Sequence, residues 1–339
     1  MLCIFCLKER TPSLEHIFPL AIGGTITIDR VCSNCNSTLG SRVDAALSDF
    51  FPIRMRRASL KLAGNNGTPP AWHEMFLGEA ELVGQEANRV RNTFNKTTGK
   101  LELRQLYHSA DVTTTDGKKV RQITLDAKDK AQIPKIIQRE RARHGLPPLS
   151  AHELKAAASA YITTTIENPL VKLSLRVSFA YLRHAMIKIA YELAFLWFGE
   201  AYLADPLAAE LRTAICSTDL SSTDQVISKI GDVENFDILK KYWVTHADHH
   251  LAFANTLSNR DLVIYVRIFD IYAAFVVISH DHHQYINYIS DQEKLRFLVI
   301  DSVSGKTVNT SFNEEVRRLG GAMATYGRPP PFADPLTPS

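Results

Sequence analysis

The 339-residue sequence has no apolar run that is both long enough and free enough of charge to span a bilayer. Its most apolar stretch, residues 185–198, is interrupted by Lys188 and Glu192, so we predict a buried helix there. A cysteine that begins a metal-binding type of motif stands at Cys3, which leaves no space for a signal peptide before it. We therefore expect a cytoplasmic protein that has no membrane partner.

Other absences narrow the possible chemistry. The sequence has no Gly-rich phosphate loop, no Ser-His-Asp arrangement and no internal repeat. Its formal net charge is only +3, and this whole excess lies in residues 1–61, which hold eight Lys or Arg and five Asp or Glu. This uneven charge favours a phosphate-binding surface, although an ordinary solvated face is the alternative.

Four of the five cysteines form two CxxC pairs, Cys3 with Cys6 and Cys32 with Cys35. Each pair lets two sulfur atoms face one metal from a tight turn, and two pairs complete the tetrahedron that zinc prefers. Four thiolates leave no open coordination position, so we predict a structural Zn²⁺ ion. Disulfides or a redox site fit poorly with a reducing compartment. The fifth cysteine, Cys216, is predicted to be a small buried hydrophobe.

The segment between the two pairs contains Glu15-His16-Ile17-Phe18-Pro19, and Asn36 directly follows the second pair. This order of cysteine knuckles, acid-His pair, proline and asparagine resembles the HNH endonucleases, the ββα-metal nuclease superfamily. The resemblance covers roughly residues 1–46. It implies a β-hairpin and a helix that together hold one divalent cation, Mg²⁺ or Mn²⁺, beside the structural zinc.

By that resemblance, His16 is the general base, because a histidine with a pKa near 6.5 can take a proton from water at neutral pH. Glu15 and Asn36 would supply carboxylate and amide oxygens to the cation, which are ligands that Mg²⁺ accepts. The family's middle Asn, which steadies the hairpin, has no clear counterpart, and Thr27 or Asp29 stands at about that place. The alternative for His16 is a structural histidine in a zinc module that only binds nucleic acid.

Two acids are predicted as possible supporting groups for the cation site, Asp29 and Asp44. Asp44 follows Asn36 by eight residues, a little over two helical turns, and a cap for the next helix is the alternative role. The segment also carries a set of cations that we predict to contact nucleic acid: Arg42, Arg54, Arg56, Arg57 and Lys61.

The predicted fold class is α+β. Residues 1–63 are predicted to form the HNH module with its zinc knuckles and a basic helix, which Pro52 should interrupt. A run of Gly, Asn and Pro at 64–70 marks the boundary to a larger mixed α+β domain, 68–326, with a specificity or regulatory role. Residues 327–339 are predicted to be a disordered, Pro-rich tail.

Within the larger domain the pattern predicts a long helix at 178–202, with His184, Lys188 and Glu192 on one face as a salt-bridge seam. A shorter helix is predicted at 207–215 and a hairpin at 111–125. Strands are predicted at 162–166, 171–177, 242–254, 262–268, 271–278, 297–303 and 308–312. Two His-rich clusters, 246–250 and 280–283, are interpreted either as metal ligands or as polar ends of loops.

These features predict a metal-dependent DNA endonuclease that acts as a homodimer, since cutting both strands requires two sites or two successive nicks. The resemblance implies a role in restriction or anti-phage defence. One alternative is a non-catalytic, zinc-dependent nucleic-acid-binding protein. Another is a nuclease effector that is gated by a small nucleotide, or by a protein regulator, bound to the C-terminal domain.

Overall fold

The computed structural model describes residues 1–174, 178–221, 227–232, 248–289, 296–311, 313–315 and 317. The chain divides into two compact units, one made of Met1–Pro70 together with Val177–Ser339 and the other of Ala71–Arg176. The predicted tail, 327–339, lies outside the described residues. The predicted α+β class is confirmed, with an N-terminal module that carries the four clustered cysteines and a larger mixed remainder.

The two units do not follow the predicted division into 1–63 and 68–326. The chain leaves the first unit after the run at 64–70, but it returns to that unit at Val177. The reason is that buried residues of the N-terminal module share one hydrophobic core with the later helices and sheet. A module of about 50 residues has too little apolar area to build a sufficient core alone.

Two strands, β1 (Pro12–His16) and β2 (Thr27–Cys32), form an antiparallel hairpin in the N-terminal module. Glu15 pairs with Ile28 across the hairpin, and both side chains are buried. Successive residues on a strand point to opposite faces, so His16 lies on the other face and stays half-buried.

One helical stretch follows the hairpin without a break: α1 (Ser33–Leu39), a π-helical turn (Gly40–Asp44) and α2 (Ala45–Asp49). A π-turn contains about one residue more than an α-turn, which rotates later side chains back by about 100°. Asp44 is thereby brought to roughly the side of the helix that carries Asn36. The stretch ends at Phe50, and α3 (Phe51–Leu60) begins with Pro52 in its first turn, as the proline predicts.

The second unit contains two antiparallel sheets and two α-helices within its described residues. Its strands are β3 (Gly78–Leu82), β4 (Gln85–Asn95), β5 (Lys100–Gln105), β6 (His108–Thr113), β7 (Lys119–Thr124) and β8 (Val171–Lys172), and its helices are α4 (Ile133–Arg143) and α5 (Ala151–Ser159). One sheet has the order β5-β4-β3-β8, and the other is the β6-β7 hairpin that the sequence predicts at 111–125.

The strand predicted at 162–166 is wrong, because that segment has no regular structure. Ile162 is 93% exposed, so its β-branched side chain has no sheet surface on which to pack, and strand propensity alone does not form a strand. The strand predicted at 171–177 is reduced to the two residues of β8 among those described.

The first unit resumes with α6 (Phe179–Phe198), which is buried on nearly all sides, followed by α7 (Glu200–Leu203) and α8 (Pro206–Cys216). The helix predicted at 207–215 is confirmed, and the one predicted at 178–202 is confirmed up to Phe198, where Gly199 with a φ of +67° separates it from α7. Cys216 was predicted to be buried, and this is wrong: it ends α8 and is exposed. Among the described residues, no helix combines the length and apolarity needed to cross a bilayer.

A six-stranded antiparallel sheet completes the first unit. Its strands are β9 (Ile227–Asp232), β10 (His249–Thr256), β11 (Leu262–Ile268), β12 (Tyr272–Ser279), β13 (Arg296–Asp301) and β14 (Thr307–Ser311), and a short helix, α9 (Ile286–Ile289), follows β12. The sheet order is β14-β13-β10-β11-β12-β9. Every residue of β11 is buried, as expected for a central strand, and α6 packs against this part of the sheet. Of the predicted strands, 242–247 lies outside the described residues.

Candidate active site

The four cysteines of the two CxxC pairs converge on one point. Their Sγ atoms all lie within 4.8 Å of one another, and Sγ of Cys6 is 3.9 Å from Sγ of Cys32. A tetrahedral zinc ion with Zn–S bonds of about 2.3 Å sets its sulfur atoms about 3.8 Å apart. The four-cysteine cluster therefore fits a structural zinc ion.

Local hydrogen bonds hold the thiols in this arrangement. The Leu7 N–H donates to the Cys3 carbonyl at 2.9 Å, and the Cys32 N–H donates to Sγ of Cys3 at 3.4 Å. Burial by itself raises the pKa of the Cys32 thiol, but hydrogen bonds from Cys35 and from the neighbouring thiols lower it to about 7, whereas burial raises the pKa of Cys6 and Cys35. The thiolate is the form that binds metal, so zinc binding would release protons from the thiols with raised pKa values.

The cysteine cluster connects the hairpin to the helix. Cys32 is the last residue of β2, and Cys35 lies in the first turn of α1. The first knuckle is held on α6, where the Tyr191 hydroxyl donates to the Ile4 carbonyl at 2.7 Å and its ring lies 5.4 Å from the ring of Phe5. A zinc ion in the cluster would therefore fix the hairpin, α1 and α6 relative to one another.

The predicted ligand Glu15 is only 2% exposed and is ion-paired inside the protein. Its Oε1 atom accepts a hydrogen bond from Nζ of Lys188 on α6 at 2.5 Å. The same nitrogen is 3.1 Å from Oδ1 of Asp44 and 3.4 Å from Oε2 of Glu192. Three acidic side chains, from β1, the π-turn and α6, thus surround one ammonium, and we call these four residues the Lys188 cluster.

The predicted seam on α6 is confirmed for two of its three members. Lys188 and Glu192 form an ion pair one turn apart. His184 contributes differently, since its Nε2 atom donates to the backbone carbonyl of Ile215 at 2.8 Å. The partners that the sequence could not indicate are Glu15 and Asp44, which are far from α6 in the chain.

Burial raises the pKa of Glu15 and raises that of Glu192 well above its ordinary value. Burial alone favours the neutral amine of Lys188, but the three acidic neighbours outweigh it and raise the Lys188 pKa. Lys188 is therefore an ammonium at neutral pH, and the three carboxyl groups around it share this one positive charge.

His16 follows Glu15 on β1 and lies opposite Thr27 in the hairpin. Burial lowers the pKa of His16, and the nearby charge of Lys188 lowers it further, while Asp44 acts in the opposite direction. A histidine with a lowered pKa is neutral at pH 7. It can accept a proton without first losing one, as a general base must.

Asn36 ties the helix to the hairpin. Its Nδ2 atom donates to the Leu14 carbonyl at 2.8 Å and to Oγ of Ser13 at 3.0 Å, both on β1 just before the acid-His pair. The sequence left the residue that steadies the hairpin unassigned, with Thr27 or Asp29 in about that place. Asn36 makes this steadying contact, and only its Oδ1 atom is left for the predicted cation.

The two predicted supporting carboxylates have different surroundings. Asp44 belongs to the Lys188 cluster, and its side chain forms no cap for α2, so the capping alternative is wrong. Asp29 is exposed on β2. The structure therefore brings Asp44, and not Asp29, together with Glu15.

Arg42, Arg56 and Arg57, which the sequence predicts as phosphate-contacting cations, make contacts within the protein. Arg57 is buried and donates to the backbone carbonyls of Ala21 at 2.6 Å and Ser48 at 3.0 Å. Arg42 donates to a backbone carbonyl on α8, and Arg56 is paired with an aspartate of the β11–β12 turn. These contacts give the three arginines a role in holding the unit together.

The other two predicted cations lie on or at the end of α3. Arg54 is half-buried in this helix, and Lys61 is exposed at its C-terminal end. A DNA-contacting role for these side chains is still a prediction.

The loop after β1 is held by a buried histidine of the sheet. His250 on β10 accepts at Nδ1 from the Phe269 N–H at 3.2 Å, so its proton is on Nε2, which donates to the Ile22 carbonyl at 2.8 Å. Its ring stacks on Phe18, with centroids 5.2 Å apart. Burial lowers the pKa of His250 to about 4, so the ring is neutral. His250 is thus neither a metal ligand nor a solvated loop end in this structure.

The second His-rich cluster, 280–283, is bound into local turns. His280 Nδ1 lies 2.8 Å from Oδ1 of Asp261, and His282 Nδ1 donates to the Arg260 carbonyl at 2.9 Å. Across the described ranges, the four cysteines are the only group of three or more such side chains close enough to hold a metal. The interpretation as polar loop ends therefore fits this cluster, whereas His246 lies outside the described residues.

Two glycines let the loop after β1 pack tightly. A Cβ atom on Gly24 would lie 1.8 Å from the Phe18 carbonyl oxygen, and one on Gly23 would lie 2.3 Å from the Ser302 carbonyl oxygen. Gly23 also has a φ of +86°, a left-handed conformation that favours glycine. The Gly-Gly pair therefore sets the loop between the hairpin strands directly against the sheet.

Comparison with known proteins gives a family match that covers the N-terminal module. Residues 3–52 match the model of a family described as HNH endonuclease, and the matched segment includes both cysteine pairs, the hairpin and the helical stretch up to Pro52. Neither the curated proteins nor the solved structures gave a match to the chain. The chain thus carries an N-terminal HNH endonuclease module with a four-cysteine cluster, followed by a larger mixed α and β region.

Proposed function

We propose that the chain is a metal-dependent endonuclease that hydrolyses phosphodiester bonds in DNA. The observation that carries this proposal is the joint arrangement of His16, Glu15 and Asn36. The first two lie on one strand, and Asn36 connects that strand to the helix beside the four-cysteine cluster. This arrangement lies in the segment that matches the HNH endonuclease family.

His16 acts as the general base in this proposal. Its half-buried imidazole has a lowered pKa, so it is unprotonated at neutral pH and can take a proton from the attacking water. Its backbone position is fixed by the strand pairing with Thr27 and by the Asn36 bonds to the same strand. A base held in this way needs little reorganisation when the reaction begins.

The residues fit a hard divalent cation. Glu15 uses Oε1 for Lys188, and its Oε2 atom makes no hydrogen bond within the described part of the chain. Oε2 of Glu15 and Oδ1 of Asn36 would hold Mg²⁺ or Mn²⁺, since these ions prefer oxygen ligands and need few from the protein. When bound, such an ion stabilises negative charge on the phosphate and on the departing oxygen.

The zinc ion is structural in this proposal, because four thiolates fill its coordination sphere. The DNA phosphates would lie against the hairpin and the N-terminal part of the chain, where all of the formal positive excess is found. Lys61, which is exposed at the C-terminal end of α3, is the predicted cation that we propose for these contacts. A cytoplasmic location is also proposed, because the thiolates need a reducing compartment.

The proposal is tested by relaxation of supercoiled plasmid with Mg²⁺, with Mn²⁺ and with EDTA. The parent protein is expected to nick the plasmid only with a divalent ion, and His16→Ala is expected to be inactive while it keeps its zinc. Cys216→Ser, a change at an exposed thiol outside the cluster, is the matched control. DNA retention by the parent without cleavage under any ion would instead support the non-catalytic binding protein.

Finer aspects rest on the family resemblance alone and are proposed as such. A role in restriction or anti-phage defence predicts that cells with the parent gene form fewer phage plaques than cells with His16→Ala. Methylated and unmethylated plasmids in the nicking assay would show whether base modification matters. Homodimerisation predicts a twofold mass in sedimentation, and double-strand cuts that appear together with nicks.

A further inference from the structure

We propose that Lys188 is a positioning residue of the nuclease site: its buried ammonium fixes Glu15 and Asp44 and so sets the strand of His16 against the helix of Asn36. This inference rests on the proposed function. Lys188 lies outside the matched segment, 173 positions from Glu15 in the chain. Under this proposal, α6 contributes a positioning residue to the active site.

The contacts of Lys188 leave it little freedom. An ammonium has three N–H donors, and three acidic groups surround this one at 2.5 Å, 3.1 Å and 3.4 Å. Its side chain has no exposed surface, so water does not compete for these donors. The position of Glu15 Oε1 is therefore set by α6, most of whose residues are buried.

The location of this ion cluster argues for more than packing. A buried ion pair adds little net stability compared with well-packed apolar side chains, because both charges must be stripped of water. Here the cluster includes Glu15, which is next to His16, and Asp44, which ends the π-turn. Asp44 lies on the same continuous helical stretch as Asn36. Residues that hydrogen-bond to metal ligands, and so orient them, commonly change metal affinity and activity when they are mutated.

In this arrangement the two carboxylate oxygens of Glu15 have different roles. Lys188 holds Oε1, and this orients Oε2 as the oxygen available to a cation. The opposite interpretation is that the ammonium competes with the cation for Glu15. The two interpretations predict changes of opposite sign when Lys188 is removed.

The experiment uses the full chain with the double variant Lys188→Met and Glu192→Gln. Methionine has nearly the length of lysine, and the second change replaces the fully buried Glu192 with an uncharged side chain of the same shape. Zinc content and the circular dichroism spectrum show whether each variant folds. Mn²⁺ affinity is measured from the electron paramagnetic resonance of free Mn²⁺, and kcat and KM are measured for plasmid nicking. His184→Leu is the matched control, because it lies one turn away on α6 and the Ile215 carbonyl keeps its bond from Arg42.

The double variant should keep its zinc and its KM for DNA, while Mn²⁺ affinity or kcat falls by about 10- to 100-fold. The His184→Leu control should match the parent in Mn²⁺ affinity and in kcat. Parent-like Mn²⁺ affinity and kcat in the double variant would overturn the proposal, and tighter binding or faster cleavage would show that Lys188 competes with the cation.

If the double variant does not fold, the same measurements are made on Asp44→Asn instead. It keeps the size of a half-buried side chain and weakens the hold on Lys188 from one side only, so a smaller loss in the same direction is expected. Parent-like Mn²⁺ affinity and kcat in Asp44→Asn would then overturn the proposal. A parent protein that never nicks DNA would refute the proposed function, while the Mn²⁺ titration would still decide the role of Lys188.

Discussion

The ammonium of Lys188 lies 2.5 Å from Oε1 of Glu15, although the two residues are 173 positions apart in the chain. This ion pair is fully enclosed, and it joins the strand that carries His16 to the central helix of the later region. It explains in part why residues 177–339 form one unit with the N-terminal module. A nuclease module cut out after residue 63 would leave the Glu15 carboxylate without its partner.

Asn36→Asp separates the two possible roles of Asn36. The aspartate keeps an oxygen for a cation, but it loses the Nδ2 donor and places negative charge against the Leu14 carbonyl. Because we assign the hairpin contact to that donor, we expect nicking to fall by at least about tenfold and the unfolding temperature to decrease. Ser13→Ala removes the acceptor of the second, longer bond and should have a smaller effect on both quantities. Full activity in Asn36→Asp would mean that the oxygen ligand is the important feature.

Removal of the predicted zinc should unfold the N-terminal module. Cys32→Ser, or a strong chelator, is expected to abolish zinc binding and to lower the unfolding temperature markedly, because the cluster connects β2, α1 and the first knuckle. Elemental analysis should find one zinc per chain in the parent and in Cys216→Ser. A parent-like melting curve for metal-free protein would contradict this assignment.

Alanine at two glycines of the module should have opposite effects. Gly24→Ala places a Cβ atom 1.8 Å from the Phe18 carbonyl oxygen, so the loop must shift, and we expect a loss of about 3 kcal/mol or more in the free energy of unfolding. Gly40→Ala meets nothing within 4 Å in a right-handed helical position. It should stabilise the protein by up to about 1 kcal/mol. Denaturant unfolding measures both, and similar effects for the two variants would disprove the packing argument.

The buried His250 should make stability depend on pH. Its pKa is about 4 in the folded protein and near 6.5 when exposed, so the unfolded chain binds the proton more tightly. The free energy of unfolding should therefore fall as pH decreases from about 6.5 to about 4, with His250 contributing up to about 3 kcal/mol. His250→Gln should be less stable at pH 7 but should show a flatter pH dependence. Equal slopes for variant and parent would show that another group is responsible.

The sequence was sufficient where the chemistry is local. Two CxxC pairs imply a four-thiol site from spacing alone, and the apolar runs at 178–202 and 262–268 gave the long helix and the central strand. Pro52 marked the restart of α3, because proline fixes the first turn of a helix.

The sequence was insufficient where a partner lies far away in the chain. Nothing near Glu15 indicates that its counter-ion is Lys188, and the run of cations at 42–61 gives no sign that Arg57 is buried against two carbonyls. The sequence did not indicate that Asn36 would steady the hairpin through its Nδ2 donor. The same amide offers both a donor and an acceptor, and spacing does not say which one is used. The π-turn at 40–44 has no sequence pattern that we recognise, although it decides the direction of Asp44.

The most direct measurement of the central claim is the nicking rate of one supercoiled plasmid under single-turnover conditions, with saturating Mg²⁺ or Mn²⁺, for the parent and for His16→Ala. The two proteins should have equal zinc content and equal affinity for the plasmid. We predict that the parent is faster by at least about 100-fold, the contribution expected of a general base. Equal rates, or no ion-dependent nicking by the parent, would contradict the account.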